Sequence, residues 1–129
     1  MTATSDVQPM LWIDEIEAAM DWYRDRMGYE ITVFGRDASG RPNVSLASLD
    51  GAAMLITRDP ALALGAGQGS GHVRLYIHLG SSVDDLHERV RGVPDVEVVQ
   101  EPINQHWGDR TVILRDPWGT LLVFSNSIP

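Results

Sequence analysis

Apolar positions along this chain switch between a helical spacing and a two-residue alternation, and the switch happens twice in the same order. Ile16, Ala19, Met20, Tyr23 and Met27 fall at the i, i+3, i+4, i+7 spacing of a helix with one face buried on a sheet. Asp14 stands where an N-cap is needed, with Glu17 at capping-box spacing, and Gly28 ends the run. Strands are predicted at Gln8 to Ile13, Tyr29 to Gly35, Asn43 to Ser48 and Ala52 to Thr57, with a tight hairpin at Asp50-Gly51. The second pass opens with a strand from His72 to Leu79. Ser82 then caps a helix that turns Val83, Leu86 and Val90 inward, and Gly92 stops it. Strands near Val96 to Gln100, Arg110 to Arg115 and Leu121 to Ser125 complete it. Both halves read as βαβββ. The expected fold class is α+β, with module 1 over 6–60, a glycine-rich linker over 61–71 and module 2 over 72–129. Repeated units that cannot bury a face alone pair with each other, and the surface between two paired sheets is a concave cavity.

Composition removes several function classes. There is no cysteine, so disulfides, thiolate nucleophiles and cysteine-based zinc sites are absent. The net charge of -8, with only 10 basic residues, argues against nucleic acid and favours cationic small molecules at long range. No apolar stretch approaches the ~20 residues that span a bilayer, and the first residues lack the basic and apolar regions of a signal peptide. A cytoplasmic protein without membrane contact is expected. The glycines between Ala61 and Gly71 lead into a strand rather than a helix N-terminus, so they form no phosphate loop. No Gly-x-Ser-x-Gly or His-Glu-x-x-His arrangement occurs.

Two blocks carry a family resemblance. One runs from Pro9 to Tyr23 and continues in Met27-Gly28-Tyr29-Glu30. The other is Trp107-Gly108-Asp109-Arg110 followed by Arg115-Asp116-Pro117-Trp118-Gly119. With the repeated order of elements, the chain resembles the vicinal oxygen chelate superfamily of glyoxalases, bleomycin-resistance proteins and extradiol dioxygenases, over nearly its full length. The resemblance implies two βαβββ modules around one cavity, often in a homodimer. It also implies where a metal would sit: one donor on the opening strand and one on the closing strand of each module. Matching places the opening donors at Gln8 and His72. The closing positions, which carry glutamate in metal-dependent relatives, fall on Val123, four residues after Gly119, and on Met54. Two neutral donors with two hydrocarbon partners are too few for a divalent ion, so no metal and no cofactor are expected.

Strand alternation then sorts the wall of the cavity. Leu11 and Ile13 should face the first helix and leave Gln8, Met10 and Trp12 toward the ligand; Arg74, Tyr76 and His78 should face it from the fifth strand. Val123 points in from the last strand, Trp107 stands at the rim, and Phe34 is a further wall residue. No inward Asp or Glu is evident to orient His72 or His78, so both histidines are expected to be hydrogen-bonding partners rather than bases, and no catalytic residue is assigned. Flat rings bury flat ligands and attract cations over their faces. The expected function is a metal-independent, bleomycin-resistance type binding protein that sequesters a planar aromatic antibiotic or metabolite at a homodimer cleft. The alternative is a glyoxalase-like lyase, isomerase or dioxygenase that uses a metal or a histidine acid/base.

Overall fold

The computed structural model describes residues 7–59 and 74–129, so the glycine-rich stretch 61–71 and His72 lie outside the described residues. The elements follow the doubled order. The first module holds β1 (Met10–Trp12), α1 (Ile16–Asp25), β2 (Glu30–Arg36), β3 (Pro42–Leu49) and β4 (Ala52–Thr57). The second holds β5 (Arg74–His78), α2 (Val83–Val90), β6 (Glu97–Asn104), β7 (Asp109–Arg115) and β8 (Leu121–Ser127). Each module is one four-stranded sheet with a helix against one face, in the orders β1-β4-β3-β2 and β5-β8-β7-β6. The opening strand lies parallel to the closing strand in both, and the other pairings are antiparallel. This is the α+β fold that the pattern predicts.

Local chemistry explains most boundaries. Asp50 and Gly51 both adopt positive φ, 51° and 84°, as the two-residue turn between β3 and β4 requires; that conformation is cheap for glycine and tolerable for aspartate. Ser82 caps α2 by accepting from the Asp84 amide at 3.1 Å. The expected Asp14–Glu17 capping box is not formed. α1 begins at Ile16 with no side-chain cap, because Glu17 is drawn to the Arg41 guanidinium at 2.7 and 2.9 Å. A charge-assisted pair with two N–H donors outcompetes a single amide at an exposed helix end.

The modules share one core. Leu11, Ile13, Ile16, Ala19 and Ile56 from the first and Val83, Val112, Leu114, Leu122 and Phe124 from the second are fully buried in one cluster. The end of α1 joins them: Tyr23 donates its hydroxyl to Asp116 Oδ2 at 2.5 Å, and Trp22 donates its indole N–H to the Asp95 carbonyl at 2.9 Å. Asp50 at the first hairpin accepts from the Gly80 amide at 2.8 Å. No helix among the described residues is long and apolar enough to cross a membrane.

Candidate functional site

One strand supplies most of the site. On β5, Ile77 is buried toward α2, so alternation turns Arg74, Tyr76 and His78 to the helix-free face of the second sheet. Tyr76 is 42% exposed, yet its hydroxyl is committed at both ends. It donates to Asp109 Oδ2 at 2.7 Å and accepts from the Trp107 indole N–H at 3.1 Å. The side chain is thereby pinned while much of it stays exposed. His78 packs edge-on to it with centroids 5.2 Å apart. The Ser125 hydroxyl donates to the Ile77 carbonyl and lies 3.2 Å from His78 Nδ1. One hydroxyl thus bridges β5 and the His78 ring, and which of the two donates across the Ser125–Nδ1 contact depends on the imidazole tautomer.

These groups border a cleft of about 540 Å³ between β5, the start of β4 and the segment before β1. Gln8, Arg74, Tyr76 and His78 line it, with Met54 and Tyr29 on the first-module side. The other expected wall residues stand elsewhere. Met10 is 43% exposed on β1, outside the cleft lining. Trp12 is half-buried and spends its indole N–H on the Asp59 carbonyl at 3.1 Å. Phe34 is the extra residue of a β-bulge on the far strand β2 and is 61% exposed. Trp107, in the β6–β7 turn and 53% exposed, reaches the site through Tyr76. Val123 is buried beside Tyr76, its register partner on β8, and is not part of the cleft lining. Trp12 and Trp107 therefore do not form a sandwich in the cleft.

Asp109 was not anticipated from the sequence, where no inward carboxylate was evident. It is the first residue of β7, one position before the predicted strand start, and shares a face with Thr111 and Ile113. Extending the alternation back from those two residues would have found it.

Equivalent hydrogen bonds fix how the modules superimpose. Ile13 donates its amide to the Thr57 carbonyl and Leu79 donates to the Ser125 carbonyl, both at 2.8 Å. Five residues before Ile13 is Gln8, and five before Leu79 is Arg74; the counterpart of Gln8 is therefore Arg74 rather than His72. Two residues before Thr57 is Leu55, and two before Ser125 is Val123. Met54, expected in that place, points instead into the helix-side core with its register partner Ala47. The four positions that would supply metal donors thus carry an amide, a guanidinium and two hydrocarbons. This set does not fit a divalent ion: only Gln8 offers a donor atom, and Arg74 repels a cation. Among the described residues no three His, Asp or Glu side chains gather closely enough to hold a metal.

Comparison with known proteins agrees with this architecture. The model of the Glyoxalase/Bleomycin resistance protein/Dioxygenase superfamily matches residues 7–124. Similar solved structures include TioX from Micromonospora sp. ML1, with 23% identity, TM-score 0.71, and 97% of this chain and 98% of that chain covered. A protein of unknown function from Agrobacterium tumefaciens has 23% identity, TM-score 0.70 and coverage of 99% and 98%. A glyoxalase-related enzyme from Clostridium phytofermentans has 17% identity, TM-score 0.63 and 98% of each chain covered. No curated protein matches the chain. By its family match, its doubled βαβββ order and its two four-stranded sheets, the chain belongs to the Glyoxalase/Bleomycin resistance protein/Dioxygenase superfamily.

Proposed function

We propose that this protein is a metal-independent binding protein of the bleomycin-resistance kind, which sequesters a flat aromatic antibiotic or related metabolite. The observation that carries the reading is Tyr76, held at its hydroxyl by Trp107 and Asp109 while the residue stays 42% exposed at the cleft wall. An immobilised ring loses little further freedom when a ligand stacks on it, so more of the buried area is realised as affinity. The donor set of Gln8, Leu55, Arg74 and Val123 supports binding without a metal. Met10, Phe34 and Ile103 are exposed apolar side chains, which supports a homodimer that covers part of this surface.

Titration with bleomycin and with aromatic polyketides, followed by tryptophan fluorescence and paired with elemental analysis of the purified protein, tests the reading. The expected result is a saturable change in tryptophan emission that needs about tenfold more ligand in Tyr76→Ala, with no stoichiometric transition metal. A flat response to both ligand classes, or one bound Ni, Zn, Fe or Mn per chain, overturns it.

A further inference from the structure

We propose that Arg74 is an anion anchor, and that the cleft selects flat aromatic ligands bearing a carboxylate or a comparable two-oxygen anionic group. This inference rests on the ligand-binding reading above and goes on to the charge of the ligand.

The first observation is what Arg74 does not do. Of the chain's ten arginines, seven are in ion pairs. Arg36 and Arg89 donate to the carbonyls of Gly40 and Met27. The Arg74 side chain alone makes no ion pair or hydrogen bond among the described residues. In a chain with 18 acids against 10 bases, a guanidinium with neither a carboxylate nor a carbonyl partner stands apart from the other nine. The sequence from Pro60 to Val73 contains no Asp or Glu, and residues 1–6 contain one acid, Asp6.

The second observation is where Arg74 stands. It occupies the opening-strand position of the second module, the register counterpart of Gln8, and both residues line the cleft. A divalent ion in that region would offer positive charge to adjacent ligand oxygens. A guanidinium offers the same charge on a planar fork of N–H donors whose spacing matches a carboxylate, and it needs no carboxylate ligands to hold it. Here the charge that a metal would bring is carried by a side chain.

The third is spacing. Arg74, Tyr76 and His78 alternate along one face of β5, about 6–7 Å apart in succession. A ring stacked on Tyr76 would have the guanidinium at one end and the His78 imidazole, a polar hydrogen-bonding group, at the other. The net charge of -8 favours cations at a distance, but screening shortens that field, and the contact at Arg74 decides the sign within the cleft.

The test uses three probes of one shape: 1-hydroxy-2-naphthoate, its neutral carboxamide, and 1-naphthylmethylammonium. Each is titrated by calorimetry into the wild-type protein, Arg74→Gln, Arg74→Lys and Tyr76→Ala. The expected result is naphthoate binding about tenfold tighter than the carboxamide, a preference lost in Arg74→Gln and partly kept in Arg74→Lys. Added salt should weaken naphthoate binding and leave the neutral carboxamide unchanged. If Arg74→Gln binds naphthoate as the wild type does, or if the ammonium probe binds best, the anion anchor is overturned. Tyr76-dependent binding of the other probes would then leave the flat-ligand reading standing. If no probe binds, both fall together. Thermal melts of Arg74→Gln separate misfolding from lost recognition, since an exposed strand residue without partners should leave stability unchanged.

Discussion

The molecule contains two tyrosine–aspartate hydrogen bonds of similar length in opposite settings, and the contrast shows how one chemistry serves two ends. Tyr23 and Asp116 meet at 2.5 Å with both side chains buried. Asp116 also accepts from the Trp118 and Thr120 amides at 2.9 and 2.7 Å, so it closes the β7–β8 turn and ties that turn to α1 at once. Tyr76 and Asp109 meet at 2.7 Å, with the ring 42% exposed. Buried, such a bond joins modules, because breaking it strands polar groups that water cannot reach. At the cleft it adds little to stability and fixes a ring for contact with something outside the chain.

Breaking the buried pair should have the largest effect. Tyr23→Ala removes a ring that packs edge-on against Trp22 at 4.8 Å and Tyr29 at 5.3 Å, and it leaves a cavity at the module junction. A loss of roughly 3–5 kcal/mol is expected from urea unfolding. Tyr23→Phe keeps the packing, strands Asp116 Oδ2, and should cost about 2 kcal/mol with ligand affinity unchanged. If Tyr23→Phe were neutral, the hydrogen bond would be incidental to joining the modules.

The buried side of this contrast was more legible in the sequence than the cleft. The helical spacing of Ile16, Ala19 and Tyr23 and the alternation of Leu11, Ile13, Leu122 and Phe124 mark the core directly, because burial is a one-body property that each residue declares by its own polarity. Trp22 was hidden, since its indole N–H finds the Asp95 carbonyl 73 positions away. The cleft depends on register between strands, where a slip of one residue reverses every side chain. That slip is what exchanges Met54 for Leu55. Arg74 was displaced for a related reason: three residues lie between Leu79 and the start of α2, against two between Ile13 and α1, so the helices do not fix the alignment of the opening strands. Asp109 escaped because a strand end has no apolar neighbour to mark it. The Tyr76 clamp joins three residues from β5, a turn and β7, which no local pattern links.

Loosening the exposed pair should touch binding far more than folding. Tyr76→Ala removes the stacking surface and should weaken a flat ligand by about tenfold, roughly 1.4 kcal/mol, while the denaturation midpoint barely moves. Tyr76→Phe keeps the ring but releases it from Trp107 and Asp109, so a smaller loss of affinity measures what the clamp contributes by holding the ring still. A double-mutant cycle pairing Tyr76→Phe with Asp109→Ala should give a stability coupling below about 1 kcal/mol, and the Tyr23 and Asp116 cycle a larger one. Equal couplings would erase the contrast.

The smallest effect comes from alkali, which acts on the buried side through proton binding. Burial pushes the Tyr23 phenol well above its ordinary range, helped by the negative charge of Asp116, and burial alone raises Tyr29. A phenol whose folded-state pKa is raised contributes stability that is complete below the unfolded value, near 10, and is lost as pH rises toward the folded value. In that window the unfolded chain releases the proton and the folded chain keeps it. Stability should therefore be flat through neutral pH and fall above about pH 10, with each buried phenol costing roughly 1 kcal/mol by about pH 10.5–11. Tyr23→Phe starts from lower stability but removes one of the two titrating groups, so its decline should be shallower than that of the wild type. Melting temperatures against pH, with phenolate absorbance recorded in parallel, would show this. A parallel decline in both proteins would mean that Tyr23 ionises as readily in the fold as outside it, and the buried pair would lose its distinction from the exposed one.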